Sequence, residues 1–111
     1  MIHLLKERKM GKAVEITIWK PHAGKRAENL KRLEEFKALC LKAGVSSFEI
    51  MSGAAGKDVG NIVVIQHFKG LADNGAINES FGSNAEVAEA MKKYSKDVIS
   101  DLVSHDLYEE E

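Results

Sequence analysis

The sequence of 111 residues predicts a single α+β domain, in which two helices cover one face of an antiparallel sheet. Two observations lead to this fold class. Segments with strand and helix periodicity follow one another in the order strand, helix, strand, strand, helix, strand. The strand at residues 60–69, "GNIVVIQHFK", is apolar at the start of both of its faces, which indicates burial on two sides.

The first strand and the first helix follow from two clear periodicities. The segment "AVEITIW" at residues 13–19 alternates side chains and is rich in β-branched residues, as a strand should be. Residues 24–44 then carry apolar side chains at spacings of three and four, which is typical of an amphipathic helix. Glu28 and Arg32 are spaced for an ion pair on its exposed side, and Gly44 is a suitable C-terminal stop.

Two further strands are predicted at residues 45–52 and 60–69. The "GAAGKDVG" that joins them is interpreted as a hairpin loop, because it lacks the first glycine and the final Ser or Thr of a phosphate-binding loop. Residues 71–83 mix turn residues with isolated apolar ones, which suggests a short, irregular helical segment.

The last part of the sequence predicts a second long helix and a final strand. Ser83 and Glu86 form a plausible capping box at the start of the helix. Apolar residues then recur at helical spacing from Val87 to Leu102. The tail "SHDLYEEE" is expected to form a short strand with Leu107 facing inward.

This order of elements is that of the ferredoxin-like βαββαβ fold, with strand 60–69 paired to strand 13–19 in the middle of the sheet. Two helices cover only one face of such a sheet. The other face would still carry apolar side chains such as Val63 and Ile65. Because large exposed apolar patches usually mark interfaces, the sequence predicts a homodimer packed sheet against sheet.

Composition excludes several functional classes. Sixteen Lys and Arg against 17 Asp and Glu give a net charge of −1, so no basic surface for nucleic acid or anionic membranes is expected. No apolar run approaches the roughly 20 residues of a membrane span. Residues 1–11 do not resemble a signal peptide and are interpreted as an N-terminal arm before a domain of residues 12–111, in a cytoplasmic protein. The single cysteine, Cys40, is expected to be a buried thiol.

Four segments, "VEITIWKPHAGK", "AGVSSFEIM", "GNIVVIQHF" and "HDLYEEE", resemble the dimeric α/β-barrel superfamily, which includes antibiotic-biosynthesis monooxygenase-like and stress-responsive barrel proteins. The resemblance spans about residues 12–111, although its motifs are diffuse. It implies a ligand cavity in each subunit between the sheet and its helices. Carried over by position, the ligand-binding residues are Glu15, Thr17, Trp19, Val64, Gln66, Phe68, Ile77, Phe81, Met91 and Tyr94.

The same resemblance argues against haem and implies no cofactor. The haem-degrading members use an asparagine, a tryptophan and an axial histidine, and the matching positions here hold Thr17, Phe68 and Ile77. Cofactor-free oxygenases and cyclases instead depend on aromatic and polar cavity residues. Trp19 and Tyr94 would take those roles here, with Glu15 or Gln66 as hydrogen-bond partners.

Each of these residues also has a purely structural explanation. Trp19 and Tyr94 are of types that more often pack in the core, and Gln66 of a type that more often satisfies buried polar groups. His67 would face the dimer interface. His22 and His105 are expected to be neighbours at one end of the sheet, but without the close spacing of a metal motif they are interpreted as surface histidines.

The function expected from this site is the binding of a small, mainly apolar or amphipathic molecule, fatty-acid-like or polyketide-like. The alternative is a cofactor-independent monooxygenase, cyclase or isomerase that acts on such a compound. A third interpretation is an interaction module whose core is filled by its own side chains.

Overall fold

A computed structural model describes residues 11–111 as a four-stranded antiparallel sheet with three helices. The sheet order is β2-β3-β1-β4, so the ferredoxin-like α+β prediction is confirmed. Residues 1–10, and with them nearly all of the predicted N-terminal arm, lie outside the described part. The elements in chain order are β1 (Ala13–Pro21), α1 (Arg26–Ala43), β2 (Ser47–Ser52), β3 (Ile62–Phe68), α2 (Leu71–Phe81), α3 (Ala85–Ser95) and β4 (Ser100–Glu109).

The central pair of strands decides which side chains face the helices. Glu15 lies opposite Gln66 and Thr17 opposite Val64, and residues directly opposite one another in a ladder share a face. Along β3 every second residue, from Ile62 to Phe68, is buried. The face that carries these residues is therefore the one beneath the helices, where α1 packs against β2 and α2 against β3.

Helix α1 forms as its periodicity predicts. It ends at Gly44, which has a φ of 111° in the left-handed region that glycine tolerates best. The Val45 N–H donates to the Cys40 carbonyl and closes the last turn. Glu28 and Arg32 form the expected ion pair, with 3.5 Å between Oε1 and Nη2. Cys40 is fully buried, as predicted.

The second helical region differs from its prediction. Residues 71–81 form a regular helix, α2, rather than an irregular segment. The cap of α3 is Asn84, whose Oδ1 accepts from the Val87 N–H, so the capping box predicted at Ser83 and Glu86 was wrong by one position.

The predicted long helix was also wrong, because α3 ends at Ser95 and Leu102 lies in β4. The backbone of β4 begins to pair with β1 at Ser100, which lies opposite Pro21. This pairing satisfies the outer backbone groups of β1, which a longer helix would leave as an open sheet edge. Strand formation therefore overrides a helical pattern of side chains.

Strand β4 lies beyond the cover of the helices. Leu107 is opposite Glu15 and so faces the helix side, but it is 47% exposed rather than enclosed as predicted. A register shift beside Trp19 leaves Val103 as an extra residue between Leu102 and Ser104, which is a β-bulge. The helix side of β4 therefore forms an open border to the space under the helices.

The opposite face of the sheet carries no helix within residues 11–111. Val14, Ile16, Val63 and Ile65 lie there, each only partly buried. His67 is on the same face, and its Nε2 lies 2.8 Å from Glu49 Oε1. The sheet face that carries Val14, Ile16, Val63, Ile65 and His67 is called the open face below.

None of the three helices in residues 11–111 has both the length and the apolar character that a membrane span requires.

Candidate functional site

A cavity of about 260 Å³ lies between the sheet and the helices. Its floor is the helix side of β1, β2 and β3, its roof comes from all three helices, and its open border is β4. Most of the wall is aliphatic or aromatic. The polar groups in the wall are Glu15, Thr17, Gln66, Asn78 and His105.

Seven of the ten residues expected in the site line this cavity: Glu15, Thr17, Trp19, Val64, Gln66, Phe81 and Met91. Tyr94 instead lines an adjacent cavity of about 320 Å³. The two cavities share part of their walls, at Trp19, Leu33, Phe36 and Met91.

Phe68 and Ile77 line neither of these two cavities. Phe68 is 2% exposed at the end of β3, opposite Ala13, and belongs to the packed core. Ile77 is 6% exposed, belongs to the same core and packs against Gly44 at the end of α1. Both residues support the wall from behind, which a prediction based on strand and helix faces does not resolve.

Glu15 is the most constrained polar residue of the cavity. It is 9% exposed, and both of its carboxylate oxygens have partners. Oε1 accepts from Asn74 Nδ2 at 2.8 Å, and Oε2 lies 2.9 Å from His105 Nε2. A buried carboxylate is costly unless it is hydrogen-bonded in this way.

His105 and Asn74 were not among the residues expected in the site. His105 comes close because it lies opposite Thr17 in β4, two pairs along the ladder from Glu15 and on the same face. Asn74 comes from the first turns of α2 and is itself 6% exposed. The only signal in the sequence was that a buried Glu15 needs partners, and that signal does not say which residues supply them.

Gln66 is buried beside this group. It lies directly opposite Glu15 in the ladder and is 8% exposed. Within residues 11–111, the fully buried side-chain atom without a hydrogen-bond partner is Asn29 Oδ1, so the Gln66 amide is not such an atom. Trp19 is held in place, because its Nε1–H donates to Thr17 Oγ1 at 3.1 Å.

Tyr94 at the second cavity is a donor rather than a base. Its hydroxyl donates to Glu35 Oε2 at 3.0 Å, and the Arg32 guanidinium carbon lies 5.3 Å from the ring centroid. Burial, together with the hydrogen bond to Glu35 and its negative charge, raises the pKa of Tyr94, and Arg32 opposes this only in part. The phenol therefore keeps its proton at neutral pH.

The histidines do not assemble as predicted. His22 Nε2 lies 3.0 Å from Asp101 Oδ1, whereas His105 contacts Glu15. The expectation that His22 and His105 are neighbours was wrong. The last strand was expected to begin at residue 104, whereas β4 begins four residues earlier, at Ser100. His105 therefore lies in the middle of the strand. Within residues 11–111, no three His, Cys, Asp or Glu side chains cluster as metal ligands would.

No family model matches the chain, and no curated protein matches it.

Solved structures do match, and they show the fold. A NIPSNAP-family protein of unknown function from Agrobacterium tumefaciens is 17% identical, with a TM-score of 0.69 over 91% of this chain and 89% of that one. A protein from Bacteroides thetaiotaomicron, described as of unknown function and a possible oxidoreductase, is 11% identical with a TM-score of 0.67, over 91% and 99% of the two chains.

A third structure carries a description of its fold. It is a dimeric protein of unknown function with a ferredoxin-like fold from Bacteroides fragilis, 20% identical with a TM-score of 0.53, over 91% of this chain and 96% of that one. This chain therefore has the ferredoxin-like fold of these proteins.

Proposed function

We propose that the protein binds a small, mainly apolar or amphipathic molecule, fatty-acid-like or polyketide-like, in the cavity between its sheet and its helices. The observation that carries this proposal is the composition of the wall. Aliphatic and aromatic side chains surround the cavity, and most of its polar groups lie on the sheet around Glu15 and Gln66. Apolar walls with a few placed polar groups are typical of small-molecule sites.

The arrangement of the two cavities supports an elongated ligand. Trp19, Leu33, Phe36 and Met91 contribute to both walls, so a single molecule that passes these residues would reach from Glu15 towards Tyr94. The buried carboxylate of Glu15 favours a neutral or hydroxyl-bearing head group, because a second carboxylate beside it would be repelled.

The proposal includes a homodimer formed by the open face. Val14, Ile16, Val63 and Ile65 give this face an apolar centre, and a second copy of the chain would cover it symmetrically. The resemblance to dimeric α/β-barrel proteins of the antibiotic-biosynthesis monooxygenase-like kind supports this arrangement, as does the dimeric neighbour from Bacteroides fragilis. We place the protein in the cytoplasm, where a single buried thiol such as Cys40 suits the reducing conditions.

Binding is measured through Trp19, the only tryptophan of the chain and a residue of both cavity walls. Titration with decanol should change the Trp19 emission and saturate. Decanoate, of the same chain length, should bind about tenfold more weakly because its carboxylate meets Glu15.

Met91 and Leu41, which are similarly exposed, provide a matched pair of positions for variants. Met91→Phe places a bulkier side chain in the wall of both cavities and should weaken decanol binding about tenfold, roughly 1.4 kcal/mol, because it takes up part of the space that the ligand needs. Leu41 lies on α1, has a similar exposure and lines neither cavity. The Leu41→Phe variant should therefore bind decanol as wild type does. Unchanged Trp19 emission, or equal affinities in the two variants, would contradict the proposed site.

A second candidate function is a cofactor-independent monooxygenase, cyclase or isomerase. The observation that favours it is the contact between His105 and Glu15 inside the cavity wall.

A further inference from the structure

We infer that His105 is a general base, positioned by Glu15, which transfers a proton at the carbon next to a carbonyl group of the bound molecule. The inference rests on the proposed binding function and assigns a reaction and a substrate class to the same cavity. The substrate class is a neutral, mainly apolar ketone that is able to enolise.

The first observation is how firmly the carboxylate behind the histidine is held. Glu15 lies on a central strand, and Asn74 fixes one of its oxygens at 2.8 Å. The other oxygen lies 2.9 Å from His105 Nε2. In the neutral imidazole, Nε2–H then donates to Glu15, and Nδ1 carries the lone pair. A base oriented by a carboxylate, which is itself held by a third group, is the arrangement that proton transfer requires.

The second observation is a contrast with the two other histidine–carboxylate pairs. His22 pairs with Asp101 and His67 with Glu49, at 3.0 and 2.8 Å. Their carboxylate side chains are 69% and 42% exposed, whereas that of Glu15 is only 11% exposed. Neither of these histidines lines the cavity. Only at His105, among the described residues, does a buried carboxylate orient an imidazole at the wall of an apolar cavity.

The third observation is the position of the Gln66 amide in the cavity wall. It lies in the same wall as His105, directly opposite Glu15 in the ladder. A side-chain amide carries two N–H donors, which can bind an acceptor that the ligand brings. A carbonyl oxygen is such an acceptor. The same N–H would stabilise the negative charge that this oxygen gains on enolisation.

These residues suffice for a balanced proton transfer. Nδ1 of His105 takes the proton from the α-carbon, and the C–H electron pair forms a carbon–carbon double bond. The carbonyl π pair moves to oxygen, where Gln66 donates a hydrogen bond. The imidazolium then returns its proton to the same carbon, or to the γ-carbon of a conjugated system. No oxidant or reductant is consumed. Return of the proton to the same carbon regenerates the substrate, and its return to the γ-carbon gives an isomer.

The half-exposed position of His105 suits this role. Its side chain is 52% exposed at the open border formed by β4. The imidazolium can therefore exchange its proton with water between two transfers. The reaction then becomes visible as incorporation of deuterium from the solvent, even when substrate and product are chemically identical.

The test uses β-tetralone, an apolar bicyclic ketone, in deuterium oxide. Proton NMR follows the loss of its α-proton signals, and Trp19 emission measures its binding in the same samples. Wild type should accelerate exchange above the buffer rate. His105→Gln should lose about 100-fold or more of this acceleration, which is the usual contribution of a general base, while it retains binding. His22→Gln, at the exposed pair, should exchange β-tetralone as wild type does.

Two further variants separate chemistry from folding. His105→Ala should recover exchange when imidazole is added, which a merely structural role of the side chain would not produce. Glu15→Gln should lower the maximal exchange rate and leave the dissociation constant of β-tetralone within about twofold, as expected for a positioning residue.

The outcomes distinguish the two proposals. Binding without accelerated exchange, or equal exchange in wild type and His105→Gln, would overturn the base assignment and leave the binding function standing. If neither decanol nor β-tetralone changes the Trp19 emission and no exchange occurs, both proposals fail together.

Discussion

At the scale of single residues, Cys40 shows how the core controls chemistry. Its side chain is completely buried in α1. Burial, and to a smaller degree the negative charge of Glu15, raises the pKa of its thiol from 9.0 to about 12. The thiolate is the reactive form of cysteine. Cys40 is therefore protected both because its side chain is buried and because its thiol stays protonated.

We therefore expect Cys40 to be inert in the folded protein. In native buffer at neutral pH, an aromatic disulfide reagent should modify Cys40 only as fast as the structure opens. In denaturant, the same reagent should modify it completely within the mixing time. The control is a double variant, Cys40→Ala with Leu41→Cys, which moves the thiol by one position to a site that is 42% exposed in wild type. This thiol should react at once in native buffer. Rapid modification of native wild type would contradict the burial of Cys40.

Residue patterns also show how far local periodicity reaches. Alternation correctly placed Glu15, Thr17 and Trp19 on one face of β1, and Gln66 with Phe68 on one face of β3, because a strand has a period of two whatever its neighbours are. The resemblance placed Phe68 in the expected site, although the structure puts it in the packed core. Depth within a face depends on what lies above each residue, and the alternation carries no information about that.

At the scale of elements, the start of α3 distinguishes two competing caps. Ser83 and Glu86 have the spacing of a capping box, but Asn84 accepts the Val87 N–H at 3.1 Å. Asn84 has an extended backbone, with φ −88° and ψ 112°, as a capping residue requires. The hydroxyl of Ser83 instead donates to the Ser80 carbonyl at the end of α2.

Replacement of each cap by alanine should give unequal effects. Asn84→Ala should lower the free energy of unfolding by about 1 kcal/mol, because the Val87 N–H loses its acceptor. Ser83→Ala should lower it by less than about 0.5 kcal/mol, as surface substitutions usually do. Urea unfolding at a common slope measures both values. A larger loss in Ser83→Ala would show that helix α3 begins one residue earlier.

At the scale of the whole molecule, the open face is the feature that a single chain leaves incomplete. The helices cover one side of the sheet only, and the other side presents Val14, Ile16, Val63 and Ile65 partly to solvent. The chain is also flat, with principal extents of 55 × 38 × 17 Å. Packing two sheets face to face would bury this apolar surface and form a second core.

The proposed dimer is tested by one charge on the open face. Val63 lies between Ile18 and Met51, with no charged residue opposite, so Val63→Lys should be tolerated in a monomer but not in a sheet-to-sheet interface. Sedimentation should give a dimer for wild type and a monomer for Val63→Lys. Leu41→Lys places the same charge on the helix side and should remain dimeric. A monomeric wild type, or a dimeric Val63→Lys, would contradict the proposed interface.

The sequence by itself determined the order of elements, the two faces of each central strand and the apolar stripe of α1. These features depend on local periodicity and on stop signals such as Gly44, so they are readable before any packing is known. The tertiary structure alone decided where α3 ends, where β4 begins and what meets Glu15. His105 is 90 residues from Glu15 along the chain, and Asn74 is 59 residues away. Contacts at such separations depend on the register between strands and on how helices sit over them. Backbone hydrogen bonds are the same for every sequence, so this register is decided by side-chain packing and turn geometry across the fold.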